Sequence, residues 1–82
     1  MKLVYFASLR ERIGKAEEDR DLPADLRSVA DLIGWLSTRD EVYAYAFSGG
    51  FARAAIDRKH AKPEALIAGA KEIAFFPPMT GG

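Results

Sequence analysis

Apolar and polar positions alternate most clearly near the two ends of the chain. Lys2 to Ala7 predicts a strand, with Leu3 and Tyr5 on one face and Val4 and Phe6 on the other. Both of its faces are apolar, which suits a central strand. Glu72 to Pro77 predicts the last strand, with Ile73 and Phe75 facing one way and Ala74 and Phe76 the other. In between, the period changes. Val29, Leu32, Ile33 and Leu36 follow i, i+3, i+4, i+7 spacing, the apolar stripe of a helix. Ser28-Val29-Ala30-Asp31 resembles a capping box with Asp in place of Glu.

Shorter elements fill the gaps. Ser8 to Gly14 reads as a helical connection stopped by Gly14. Ala16 to Leu22 is very polar and reads as a solvated strand paired back onto the first. Asp40 to Phe47 predicts a second short helix, ended by Ser48-Gly49-Gly50. Phe51 to Ile56 reads as a strand and Asp57 to Pro63 as a turn-rich loop, while Leu66 and Ile67 plug the core from a short extended piece. Separate helix and strand runs indicate an α+β fold, a small mixed sheet around one main helix. No repeat, linker or low-complexity stretch interrupts it.

Composition narrows the function. The 82 residues suffice for one domain. Twelve basic and twelve acidic residues give no net charge, which disfavours nucleic-acid binding. No apolar run approaches the roughly 20 residues of a membrane helix. The opening residues do not read as a signal peptide, so a cytoplasmic location is expected. The chain has no cysteine, which excludes a disulfide scaffold, a cysteine metal site and a cysteine persulfide.

Catalytic constellations are nearly absent. His60 is the single histidine, and a surface or interface role fits it better than catalysis. Gly49-Gly50 lacks the rest of a phosphate loop and reads as a helix stop. Glu17, Glu18, Asp19 and Asp21 could imitate a hard-cation site, but a solvated face is the better reading and no metal is expected.

The C-terminus remains. The sequence there is Pro77-Pro78-Met79-Thr80-Gly81-Gly82. Prolines lack the N–H needed to continue a ladder, so they would lead the chain off the sheet. Two glycines without side chains could enter a narrow channel and present a carboxylate to another enzyme. Adenylation would turn a carboxylate oxygen into a leaving group, and a sulfur nucleophile would then give a thiocarboxylate. The bland alternative is a frayed terminus. The expected organisation is a domain over residues 1–78 and a flexible tail over 79–82.

The run from Glu72 to Gly82, with Phe75-Phe76-Pro77-Pro78-Met79-Thr80 at its centre, closely resembles the end of the molybdopterin synthase small subunits (MoaD type). Val4-Tyr5-Phe6-Ala7-Ser8-Leu9-Arg10-Glu11 is similar to their opening, and the helix from Ser28 falls where they have their main helix. The resemblance implies a ubiquitin-like β-grasp fold. It also implies that Gly82 is adenylated with ATP by an E1-like adenylyltransferase (MoeB type). A sulfur donor such as a cysteine desulfurase then supplies the sulfur of a thiocarboxylate. The tail, with Gly81, Thr80, Met79 and Pro78, would enter the large subunit (MoaE type) in a heterotetramer. There the sulfur passes to cyclic pyranopterin monophosphate, in molybdenum cofactor biosynthesis. The catalytic side chains would belong to the large subunit, and this chain would bind no cofactor. Phe6 and Phe76 match aromatics of the family's partner-binding surface.

Two departures are visible. Ala70-Lys71 stand where relatives have Gly-Asp, and His60 takes a position that is apolar in relatives, within the same surface patch, where it would make that contact weakly pH-sensitive. Three other readings stay open at this point: a carrier for thiazole or tRNA thiolation, a ubiquitin-like modifier of lysines, and a β-grasp binding module with incidental glycines.

Overall fold

A computed structural model describes residues 1–48 and 52–77. Gly49, Gly50, Phe51 and Pro78 to Gly82 lie outside the described residues, so the expected tail and the glycine stop of the second helix lie outside them too.

The chain runs β1 (Lys2–Tyr5), α1 (Ala7–Ile13), β2 (Glu17–Asp19), α2 (Val29–Arg39), α3 (Glu41–Ala46), β3 (Arg53–Ile56), β4 (Lys59–Ala61) and β5 (Glu72–Phe76). The strands form one mixed sheet in the order β2-β1-β5-β3-β4. β1 and β5, the most apolar strands, pair in parallel at its centre, with Leu3 beside Ile73 and Tyr5 beside Phe75. The alternation read from the sequence therefore holds: Leu3, Tyr5, Ile73 and Phe75 are all buried on one face.

The helices cover that face. Val29, Leu32 and Leu36 of α2 join the same core, as do Leu9 and Ile13 of α1 and Tyr43 and Ala46 of α3. The Phe75 ring stacks on Tyr5 at 6.0 Å and meets Phe47 edge-on at 5.4 Å. The capping box of α2 forms as expected. The Ser28 hydroxyl accepts from the Asp31 N–H, and the Asp31 carboxylate accepts from the Ser28 N–H. Gly14 ends α1 at φ 87°, a left-handed C-cap that favours glycine.

Two expectations need correction. The stretch from Asp57 to Pro63 is not a loop throughout, because β4 pairs antiparallel with β3. A two-residue turn joins them, with Asp57 at φ 48° and Arg58 at φ 71°. Positive φ at both positions matches the twist of a hairpin, yet neither residue is the glycine that usually marks such a turn. The Asp57 carboxylate anchors the turn by accepting from the N–H groups of Lys71 and Glu72, both at 2.9 Å. The second correction concerns Leu66. Ile67 plugs the core as expected, but Leu66 is 69% exposed, since consecutive residues of an extended piece face opposite ways.

Candidate functional site

With the helices packed on one face, the other face of the sheet stays open. Registered neighbours share a face, so Val4 and Ala74 point outward together, as do Ala55 and His60. Arg53 and Phe76 form another outward pair. A groove on this side is lined by Lys2, Val4, Phe6, Glu17, Ala55, Arg58, Glu72, Ala74 and Phe76. Ala74 forms its floor, while Phe6 is half exposed.

The backbone fixes Phe6 there. Its N–H donates to the Phe75 carbonyl at 3.0 Å, extending the parallel ladder by one rung. Ala7 then takes φ 51°, an uncommon conformation for a residue with a Cβ. It turns the chain off the sheet and into α1, whose Leu9 and Ile13 enter the core on the opposite side. Phe6 is thus left on the open face while its successors cross over.

His60 lies exposed on β4, its ring 6.1 Å from that of Phe76 and inclined edge-to-face. The structure thereby brings Phe6, Phe76 and His60 to one face. Pro78, Met79, Thr80, Gly81 and Gly82 lie outside the described residues. β5, which leads to them, is hydrogen-bonded on both sides, by β1 and by β3.

Charge on this face is segregated. On the β2 side, Lys2 lies 3.5 Å from Glu17 and 3.6 Å from Glu72. The N-terminal amine lies 3.1 Å from Asp19. On the β3–β4 side stand Arg53 and Arg58, which form no salt bridge among the described residues. Sequence reasoning missed both arginines. The register of Arg53 two residues before Ala55 was a usable signal; the turn that places Arg58 was not.

Glu18 behaves differently from its acidic neighbours. Beside Leu3 in register, it points toward the core side. Its carboxylate accepts from the hydroxyls of Tyr5 at 2.6 Å and Tyr43 at 2.7 Å. Arg20 Nε donates to its other oxygen at 3.2 Å. Burial alone would raise the Glu18 carboxyl, but the hydrogen bonds from Tyr5, Tyr43 and Arg20 outweigh it and hold the group at about 2. Burial, and then the bond to Glu18, push the Tyr5 phenol well above its ordinary range. Glu18 is therefore a fixed anion that ties β2 to β1 and α3, and the solvated-face reading holds for Glu17, Asp19 and Asp21, all exposed, but not for Glu18. Among the described residues no group of three or more His, Asp or Glu is placed to hold a metal ion. Among the described residues no helix is long and apolar enough to cross a membrane.

A mixed sheet with a central parallel pair, wrapped on one side around a main helix, is the ubiquitin-like β-grasp. Solved structures agree. SAMP1 from Haloferax volcanii superposes with a TM-score of 0.73 at 24% identity, covering 100% of this chain and 98% of that one; at this identity the likeness is one of fold. A molybdopterin converting factor subunit 1 from Pyrococcus furiosus gives a TM-score of 0.69 at 27% identity, over 95% of each chain. The molybdopterin synthase sulfur carrier subunit of Escherichia coli (strain K12) is 29% identical over 82 residues, covering 100% of this chain and 99% of that protein. The sequence profile of the ThiS family matches residues 3–82. The chain belongs to the ThiS family and is a ubiquitin-like sulfur carrier of the ThiS/MoaD type.

Proposed function

We propose that this chain is the sulfur-carrying small subunit of a molybdopterin synthase. The observation that carries the reading is the family match through residue 82, which takes in both terminal glycines, together with the end-to-end match to the Escherichia coli sulfur carrier subunit. The folded domain, residues 1–78, presents a tail over 79–82. An E1-like adenylyltransferase of the MoeB type joins the Gly82 carboxylate to AMP and releases pyrophosphate. A hydrosulfide equivalent, delivered in the cell by a donor such as a cysteine desulfurase, displaces AMP and leaves Gly82 as a thiocarboxylate. The open face with Phe6, Phe76 and His60 then docks on a large subunit of the MoaE type. Pro78, Met79, Thr80 and Gly81 extend into that partner, where the sulfur passes to cyclic pyranopterin monophosphate. Two small and two large subunits make the working assembly.

The test is intact-mass spectrometry after incubation with a MoeB-type adenylyltransferase, ATP and sodium sulfide. A mass gain equal to the exchange of one oxygen for one sulfur is expected, confined to the C-terminal peptide. An unchanged mass alongside an adenylyltransferase competent on its own carrier would refute the reading. So would a product in which Gly82 is joined to lysine amines and no thiocarboxylate forms.

A further inference from the structure

The two flanks of the open face differ in what their charges are doing. On the β2 flank, Glu17 is paired with Lys2 and Asp19 with the N-terminal amine. On the other flank, Arg53 and Arg58 are exposed and unpaired among the described residues. The chain as a whole is neutral, so this is a local imbalance and not a reflection of bulk charge. Both guanidiniums border apolar ground: Arg53 is in register with Phe76, and Arg58 lines the groove floored by Ala74. Arg58 is held at φ 71°, where glycine would be easier, so the hairpin carries a cation at a position that local geometry alone would give to another residue.

We propose that the protein covering this face carries an acidic rim that lies along β3 and β4, opposite Arg53 and Arg58, and an apolar ridge over Phe6 and Phe76. Guanidinium groups suit this task because their planar donors match carboxylates in pairs. A second copy of this chain is a poor occupant, because its own open-face carboxylates Glu17, Asp19 and Glu72 are already engaged by Lys2 and the N-terminal amine. A nucleic acid is also a poor fit, since its phosphates would satisfy the arginines and leave the apolar centre uncovered. With cations free of a salt bridge on one flank only among the described residues, the rim also sets which way round the partner docks. This inference rests on the carrier reading and names the chemistry of the partner's surface.

The experiment measures association of the full chain with a MoaE-type large subunit by stopped flow, from low to high salt. In the double variant Arg53→Glu/Arg58→Asp, aspartate keeps the left-handed turn accessible. Association about tenfold slower at low salt is expected, with the rate nearly independent of salt. Reversing two cations on the helical side, Arg27→Glu/Arg39→Glu, changes net charge equally and should leave the rate close to wild type. Should the double variant unfold, Arg53→Gln alone is expected to show a smaller loss in the same direction. Wild-type kinetics in the double variant at every salt concentration would overturn the inference, as would an equal loss in the helical-side control. If the chain gains sulfur and binds the large subunit while the arginine variants bind normally, the rim is wrong and the carrier reading stands. If the wild type binds RNA oligonucleotides and not the large subunit, the rim is overturned, and the sulfur mass test separately decides the carrier reading.

Discussion

The Tyr5 hydroxyl donates a 2.6 Å hydrogen bond to the Glu18 carboxylate, joining a central strand to an edge strand through their side chains. Tyr43 donates to the same oxygen from α3. Glu18→Ala would strand two phenolic donors and is expected to destabilise the fold by about 2 kcal/mol or more, read from the urea midpoint. An unchanged midpoint would show that water replaces the carboxylate without penalty.

The same pair gives a pH dependence. The Glu18 carboxyl is held at about 2, below its ordinary 4.5. A depressed carboxyl adds stability in full above its unfolded value and loses it as pH falls through the folded one. Wild-type stability should therefore drop between about pH 5 and pH 2, and Glu18→Gln should lack that component of the drop. Parallel stability curves for the two proteins would contradict the assignment.

Deleting Gly81-Gly82 tests the tail apart from the domain. Folded stability should change by less than about 0.5 kcal/mol, because the core lies within residues 3 to 75. The mass gain with adenylyltransferase, ATP and sulfide should vanish. A truncated chain that still acquired sulfur would place the reactive group elsewhere.

Phe6 is half exposed on the open face, so Phe6→Asp should fold normally and lose partner affinity. A fall of about tenfold or more is expected by calorimetry against the large subunit, as for an aromatic anchor at an interface. If Phe6→Asp binds normally, the open face is not where the partner sits.

Arg58 separates stability from binding. Arg58→Gly relieves a left-handed residue and should hold or raise stability, by up to about 1 kcal/mol. It should also slow association with the large subunit. A variant that gained stability and bound at the wild-type rate would show that the cation is dispensable.

Much of this architecture was legible because its signals are periodic. Leu3, Tyr5, Ile73 and Phe75 declare a buried face at period two, and Ser28 with Asp31 marks the start of α2 in four residues. β4 was not legible. Three residues, Lys59-His60-Ala61, are too few to show alternation, and the Asp57-Arg58 turn lacks the glycine that usually announces a hairpin. Glu18 was hidden for another reason. Within an acidic run, composition suggests solvent, and only the pairing with β1 reveals that the middle carboxylate faces inward. On the candidate site, the residues carrying Phe6 and Phe76 were readable from alternation. The unpaired arginine flank depends on strand order, which no local pattern encodes.

Because β1 and β5 run side by side in the same direction, Lys2 lies beside Glu72 and Tyr5 beside Phe75. Met1 and the point where the chain leaves β5 are thus held at opposite poles of the sheet, about 17 Å apart along the strands. A resin, fluorophore or affinity handle attached through a spacer before Met1 would stand behind the molecule, with Phe6, Phe76 and the outgoing chain facing away from it. Immobilised that way, every copy would offer the open face to solution, whereas a handle appended after Gly82 would block the carboxylate on which the proposed sulfur transfer depends.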